Sequence, residues 1–250
     1  MSEYTPQQDF FAKLQKTEKF RCKVFWISII GSAIIPLFNN SNINSIFTII
    51  SLIVLIYLDV QLDYYRSNAE KKRRSDLFDN SFGTKYNHDK SKGYYSNDEI
   101  PNGTYKIATN VFQNCFWSLN ISTKMKEKEK IKNIAIGGVI VLFAVFGFLN
   151  NMISIPVLQL FLSQEFLVKY INLDRYNREL EDIFEELKDL FSRNLNDNIE
   201  SEQARVLNII VRYECNISNW KIDLDSNIFN SEDARLEKEW SKIKNTYNIK

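Results

Sequence analysis

Four long apolar runs, grouped as two pairs, constrain this 250-residue chain more than any other feature. The first pair covers residues 24–38 and 43–58, and the second covers 134–149 and 152–162. None of the four runs contains a charged residue, and short asparagine-containing turns join the members of each pair. The runs approach the ~20 residues that cross a hydrocarbon core about 30 Å thick. A soluble bundle with two buried hairpins is the alternative.

The distribution of positive charge separates these two interpretations. The turns at 39–42 and 150–151 contain no Lys or Arg, whereas the opposite ends of all four runs are rich in both. Lys and Arg collect on the cytoplasmic side of membrane helices. The sequence therefore predicts an all-α membrane protein with four transmembrane helices in two hairpins plus a cytoplasmic helical domain. Both termini are expected in the cytoplasm.

This topology divides the chain into five segments. We expect an amphipathic N-terminal helix over 1–23, transmembrane hairpins over 24–65 and 131–172, and a cytoplasmic connector (stalk helix, loop, helix) over 66–130. Residues 173–250 carry 12 Lys/Arg against 17 Asp/Glu and show apolar residues at spacings of three and four. Such stripes predict the core of a cytoplasmic helical bundle, or a seam between subunits. The first of these stripes comprises Leu173, Tyr176, Leu180, Ile183, Leu187 and Leu190.

Residues suited to catalysis are scarce. The chain has one histidine, His88, and three widely separated cysteines, Cys22, Cys115 and Cys215. Zinc sites and Ser/His/Asp or Cys/His catalysis depend on histidine, and no phosphate-binding loop or dinucleotide motif is present. The sequence predicts no catalytic residues, no metal and no cofactor, so we do not expect an enzyme.

Polar residues within the second run form a stripe. Ser45, Thr48 and Ser51 recur at a spacing of three, and Asp59 lies at the inner end of the run. A stripe of this kind is typical of the water-facing wall of a pore. We therefore predict that these four residues line a pore. The alternative is that the hydroxyls bond back to carbonyls of their own helix.

Glycines in the third run indicate close packing between two helices. Gly137 and Gly138 offer flat surfaces on which a neighbouring helix can approach closely. The alternative is that they only interrupt the apolar run.

Basic and aromatic residues of the connector indicate ligand binding. Cations suit phosphates, and tyrosine rings stack on bases. The alternative is that the Lys and Arg set the topology and contact anionic lipid headgroups. The predicted ligand-binding residues are Arg66, Lys71, Lys72, Arg73, Arg74, Tyr94 and Tyr95.

Three connector segments carry a family resemblance. They read AEKKRRSDLFDNSFG (69–83), GYYSN (93–97) and NVFQNCFWS (110–118), and they lie between the two predicted hairpins. In topology and in these segments, the chain resembles the SMODS-associating four-transmembrane effector family of bacterial anti-phage (CBASS-like) systems. Within that group it also resembles the membrane effectors of Hailong-type systems.

The resemblance implies a function that the residues alone do not. It implies a defence effector that forms a ligand-gated homo-oligomeric pore, with a tetramer favoured, in the bacterial inner membrane. The gating ligand is expected to be a nucleotide or single-stranded oligonucleotide made by a partner nucleotidyltransferase. Depolarisation of the membrane and abortive infection would follow. The alternative function is a non-channel membrane scaffold or sensor that recruits a cytoplasmic partner.

Overall fold

The computed structural model describes residues 5–35, 41–87, 91, 94–146 and 167–249. The described residues form six helices and no strand, so the prediction of an all-helical chain is confirmed. The helices are α1 (Gln8–Ile34), α2 (Ser41–Phe82), α3 (Thr104–Phe146), α4 (Leu167–Ser192), α5 (Leu195–Trp220) and α6 (Ser226–Thr246). They fall into two compact units. We call Pro6–Arg73 with Lys132–Val168 the hairpin unit, and Arg74–Ile131 with Lys169–Lys250 the bundle unit.

In the hairpin unit, α1 and α2 pack as an antiparallel pair. Near the start of α1, the Phe10 ring lies under the Lys72 ammonium, 5.1 Å from the ring centroid. Further along, Arg21 forms an ion pair with Asp59. Near the end of α1, Gly31 lies against the Phe47 ring. Later residues of α1 therefore contact earlier residues of α2, so the two helices are antiparallel. This is the helical hairpin expected from the first pair of apolar runs.

Much of the apolar surface of α2 is uncovered. The described residues contain one helix that is long and apolar enough to cross a membrane, judged by length and composition: Asn42–Phe82. Its most apolar stretch has a mean hydropathy of 2.2, and 6 % of that stretch is buried. Between Ile43 and Val60, nine of its large apolar side chains are more than half exposed, namely Ile43, Ile46, Ile49, Ile50, Leu52, Ile53, Ile56, Tyr57 and Val60.

Three helices run without a break across boundaries between the predicted segments. No break separates the N-terminal segment from the first apolar run, because α1 is continuous across residue 23. The 42-residue α2 joins the second run to the stalk, and the 43-residue α3 joins the connector helix to the third run. Residues 147–166, which contain the turn and the fourth apolar run of the predicted second hairpin, lie outside the described residues.

The bundle unit is built around the N-terminal part of α3. Its Phe112 ring stacks on Phe191 of α4 at 5.0 Å and meets Trp240 of α6 edge-on at 5.3 Å. Towards the other end, Lys126 of α3 pairs with Asp174 of α4 at 3.0 Å. The helices α3 and α4 therefore run antiparallel. The stripe predicted in 173–190 is buried in this core.

The helices α5 and α6 complete a four-helix core. On α5, the Asn216 side chain donates to the Tyr176 carbonyl of α4 at 3.0 Å. The apolar stripe of α5 is also buried in the core. The turn before α6 is fixed by Asp225, whose carboxylate accepts the backbone N–H groups of Asn227 (2.8 Å) and Ile228 (3.3 Å). This side-chain cap satisfies donors that a helix N-terminus leaves unpaired.

Candidate functional site

The three segments that carry the family resemblance meet in the bundle unit. Asn97 of the loop donates through its side-chain amide to the side-chain oxygens of Asn110 (3.0 Å) and Gln113 (2.8 Å) on α3. Asn110 donates in turn to the Ser81 hydroxyl on α2 at 3.0 Å. All four residues are buried. Together with Asp76 and Asp79 we call them the connector network, because they join the end of α2, the loop and the start of α3.

Asp79 holds the beginning of the loop. Its carboxylate is fully buried and accepts the Thr84 hydroxyl (2.7 Å) and the backbone N–H groups of Tyr86 (2.8 Å) and Asn87 (2.8 Å). The chain turns at Gly83, whose φ of +72° favours glycine. A carboxylate in the last turns of a helix is unfavourable to the helix dipole. The three donors offset that cost, so this arrangement depends on the loop.

Asp76 holds a later part of the same loop, at Ser91. Its Oδ1 accepts the Ser91 backbone N–H (2.9 Å) and the Asn80 side-chain amide (3.0 Å). Its Oδ2 is buried and accepts no hydrogen bond from the described residues. Burial raises the pKa of the Asp76 carboxyl above its ordinary value, and the nearby Asp79 carboxylate raises it further, against the lowering effect of the Ser91 donors. The Asp76 carboxyl therefore holds its proton more strongly in this site than an aspartic acid does in water.

The structure brings the two predicted tyrosines together. The rings of Tyr94 and Tyr95 meet edge-on with centroids 4.8 Å apart. Tyr95 is buried, and the Asn114 side chain donates to its hydroxyl at 3.3 Å. Tyr94 is half-buried against the same core. The exposed part of Tyr94 is the more accessible of the two for stacking with a ligand.

Arg73 and Lys72 occupy different environments on α2. The Arg73 side chain is 8 % exposed and donates to Glu70 at 2.8 Å, one helical turn away. Lys72 is exposed and lies over Phe10. Arg73 therefore has a structural role in the hairpin unit, while the charge of Lys72 remains accessible to solvent.

The other predicted cations are more open. Lys71 is exposed, and the Arg66 guanidinium lies 3.6 Å from the Asp63 carboxylate near the helix surface. Arg74, the first residue of the bundle unit, donates to the Ser218 hydroxyl of α5 at 3.3 Å. These cations can contact a phosphate, and ligand binding by all seven predicted residues stays a prediction.

The predicted pore-lining residues are partly satisfied within the chain. The Thr48 hydroxyl donates to the Asn44 carbonyl of its own helix at 2.8 Å, which was the alternative considered for this stripe. Asp59 is in the ion pair with Arg21. Ser45 is exposed and Ser51 is half-buried on the same helix. Pore lining by these four residues stays a prediction.

Sequence reasoning missed the connector network and the contact at Gly31. A signal for the network was present, because Asn110 and Gln113 interrupt the apolar stripe of α3 near Ile107 and Val111. A polar side chain on a buried face needs a hydrogen-bond partner. Gly31 was overlooked in favour of Gly137, where a Cβ would meet nothing within 4 Å among the described residues.

The described residues offer hydrogen bonds and charges for ligand recognition. They contain no group of three His, Cys, Asp or Glu side chains that could hold a metal ion. Cys115 is fully buried, and burial raises the pKa of its thiol well above the ordinary range, so its reactive thiolate form is suppressed. The connector network is suited to holding a loop against two helix ends.

Comparison with known proteins adds no relative to this description: no family model, curated protein or solved structure matches the chain.

Proposed function

We propose that this chain is a membrane effector that forms a ligand-gated homo-oligomeric ion channel. In this proposal the chain spans the bacterial inner membrane with four helices and keeps both termini in the cytoplasm. A nucleotide or single-stranded oligonucleotide from a partner nucleotidyltransferase controls the pore. Its opening depolarises the membrane and ends phage infection with the host cell. The resemblance of the connector segments supports the defence role.

The observation that carries the proposal is the uncovered apolar surface of α2. Nine large apolar side chains between Ile43 and Val60 of this helix are more than half exposed. Each costs roughly 1.5–3 kcal/mol when left in water instead of being buried. A soluble monomer rarely exposes such a continuous apolar surface. Lipid, together with neighbouring copies of the chain, is the environment that removes this cost.

The continuity of α2 supports a gating mechanism. One helix without a break carries the apolar stretch at its start and the Asp76 and Asp79 carboxylates at its end. A ligand that rearranges the loop changes the hydrogen bonds of those carboxylates. It thereby changes the relative stability of two positions of the helix, and it shifts their populations by its differential affinity for them.

Lys71, Lys72 and Arg74 are the proposed phosphate contacts on α2, because their side chains keep access to solvent. Tyr94 of the bundle unit is proposed to stack on a base. Arg73 and Tyr95 act in this proposal by holding their neighbours in place.

Ion flux through liposomes tests the proposal. Purified protein should release a trapped ion in a manner that responds to an added nucleotide or single-stranded oligonucleotide. Replacing Ser45, Thr48 and Ser51 by Leu should reduce the flux if this stripe is wetted. Replacing Ile46, Ile49 and Ile53 by Leu on the same helix is the matched control and should leave it unchanged. Tight liposomes under every condition would reject the channel.

A non-channel scaffold or sensor is the second candidate function. The observation in its favour is that Thr48 and Asp59 already have partners within the chain, so these two groups do not require a water-filled pore. This candidate predicts membrane insertion without flux, and capture of a cytoplasmic protein by the bundle unit.

A further inference from the structure

Four helix ends enclose a small cavity in the bundle unit. The cavity has a volume of about 150 Å³ and lies between the start of α3, the junction of α4 with α5, and the end of α6. The residues Tyr105, Phe191 and Tyr247 form part of its wall, and Asp197 and Asn248 supply polar groups. Pockets for drug-sized ligands measure roughly 300–1,000 Å³. The cavity therefore suits a small molecule, or one end of a larger one.

The hydroxyl of Tyr105 lacks a hydrogen-bond partner in the part of the chain that the structure describes. Tyr105 is 9 % exposed, and its ring lies 5.7 Å from that of Phe191, measured between centroids. Buried polar groups normally have a hydrogen-bond partner. Because Tyr105 lines the cavity, a molecule held there can supply one. Packing alone does not account for this hydroxyl, since a phenylalanine ring would make the same contact with Phe191.

Asp197 gives the cavity a negative charge. Its carboxylate forms no ion pair or hydrogen bond with the described residues. Burial raises the pKa of the Tyr105 hydroxyl, and the negative charge of Asp197 raises it further, so the two polar groups lie close to each other. Residues 195–203 add Glu200 and Glu202 and contain no Lys or Arg. The mouth of the cavity is therefore acidic.

Three described cations near these residues in the sequence are engaged elsewhere. Lys188 pairs with Glu185 at 2.8 Å, and Arg193 pairs with Asp189 at 2.9 Å. Lys244 donates to a backbone carbonyl of the loop before α3 at 2.9 Å. None of these three cations lines the cavity. A phosphate or carboxylate in the cavity would therefore meet the Asp197 charge without a compensating cation, whereas a positively charged ligand would be attracted.

We propose that this cavity binds the ammonium end of an aliphatic amine. An ammonium group has three N–H donors, and the acceptors available to them are the Asp197 carboxylate, the Tyr105 hydroxyl and the Asn248 side-chain oxygen. The rings of Phe191 and Tyr247 offer apolar contact to methylene groups, and an aromatic ring face attracts a cation. A free amine and the lysine side chain of another protein present this same chemistry. The site does not depend on the channel proposed above.

Equilibrium dialysis of the full chain in detergent against radiolabelled putrescine, at about 0.15 M salt, tests the site. Putrescine should bind saturably, and butanediol, which has the same carbon chain without the charge, should not displace it. Asp197→Asn should weaken binding by about threefold or more, as expected for a partly exposed ion pair. Glu200→Gln removes the same charge from α5 outside the residues that line the cavity. It is the matched control and should leave binding unchanged.

Tyr105→Phe separates binding from folding. The hydroxyl has no partner to lose among the described residues, so the midpoint of thermal unfolding should not fall. Binding of putrescine should weaken by about threefold or more, because one hydrogen bond to the ligand is lost. A lower midpoint together with unchanged binding would overturn the role given to this hydroxyl.

The remaining outcomes decide the proposal as a whole. It is rejected if dialysis shows no bound putrescine, or if Asp197→Asn and Glu200→Gln reduce binding equally, which would indicate general attraction to an acidic surface. Displacement by adenosine or butanediol as effective as that by unlabelled putrescine would show a site for neutral ligands and would also reject it. Displacement by Nα-acetyl-lysine amide would support it and would identify a lysine side chain as a source of the ammonium. These measurements do not involve ion flux, by which the channel is judged.

Discussion

The carboxylate of Asp79 accepts the backbone N–H of Asn87 at 2.8 Å, which ties the loop after α2 to the last turn of that helix. Because Asp79 is fully buried and also accepts the Thr84 hydroxyl and the Tyr86 N–H, both of its oxygens are in use. Asp79 is thus the residue on which the loop depends most directly.

Asp79→Asn should loosen the start of the loop. The substituted amide has one oxygen and one NH₂ group, so at least one of the three donors loses its acceptor. Leaving a buried donor unpaired costs about 1–3 kcal/mol. Hydrogen exchange of the full chain, followed by mass spectrometry, should show exchange of the segment containing Tyr86 and Asn87 accelerated by about tenfold or more. Unchanged protection there would contradict the role given to Asp79.

In contrast to Asp79→Asn, Asp76→Asn should raise the free energy of unfolding at neutral pH. The replacement keeps an oxygen for the Ser91 and Asn80 donors and removes a charge whose burial is unfavourable. Since the pKa of Asp76 is raised in the folded protein, the folded state binds a proton more readily than the unfolded state. Stability conferred by this group is therefore complete below the ordinary pKa of 3.8 and decreases as pH rises through the raised value.

Unfolding of both proteins against pH checks this sign. The free energy of unfolding of Asp76→Asn, minus that of the unmodified chain, should be larger at pH 7 than below pH 3.8. A difference that grows as the pH falls would mean that the ionised Asp76 stabilises the fold.

The sequence predicted the helices and much of the bundle core, because side-chain burial on a helix repeats every three to four residues. Leu180, Ile183 and Leu187 follow that period and are buried. The loop contacts were not predictable in the same way. Asp79 reaches Tyr86 and Asn87 through a turn with no period, and residue spacing alone does not show which backbone N–H groups meet a carboxylate.

The extent of α3 was also missed, for a different reason. The lysines between 124 and 132 are typical of the flank of a membrane run, and the sequence therefore predicts a segment boundary there. Lys and Glu are good helix formers, and several of these side chains are paired with other helices. Lys124 pairs with Glu232 at 2.5 Å, and Lys126 pairs with Asp174 at 3.0 Å. The charge run therefore lies within a continuous helix.

Gly31→Ala should destabilise the hairpin formed by α1 and α2. A Cβ at Gly31 would overlap the Phe47 ring, so the ring must move. Such overpacking typically costs about 1–3 kcal/mol. Thermal unfolding in detergent should show a lower midpoint, and Phe47→Leu in the same chain should recover part of the loss. Gly137→Ala is the control: among the described residues nothing lies within 4 Å of a Cβ added there, and Ala favours a helix interior by roughly 0.5–1 kcal/mol over Gly. An equal effect of both substitutions would show that the contact with Phe47 is unimportant.

Lys71→Gln combined with Arg74→Gln should weaken binding of a single-stranded oligonucleotide without destabilising the chain. Both side chains retain access to solvent, and neither carries a core contact comparable to that of Arg73. For single strands, each phosphate contact contributes a slope of about 0.7 to the decrease of log K with log salt concentration. Loss of two contacts should therefore lower the slope by about 1.4. Arg73→Gln is the informative comparison, because its loss leaves Glu70 partly buried without this partner and should lower the unfolding midpoint. If the double variant binds as the unmodified chain does and only its membrane orientation changes, these cations serve lipid contact and topology.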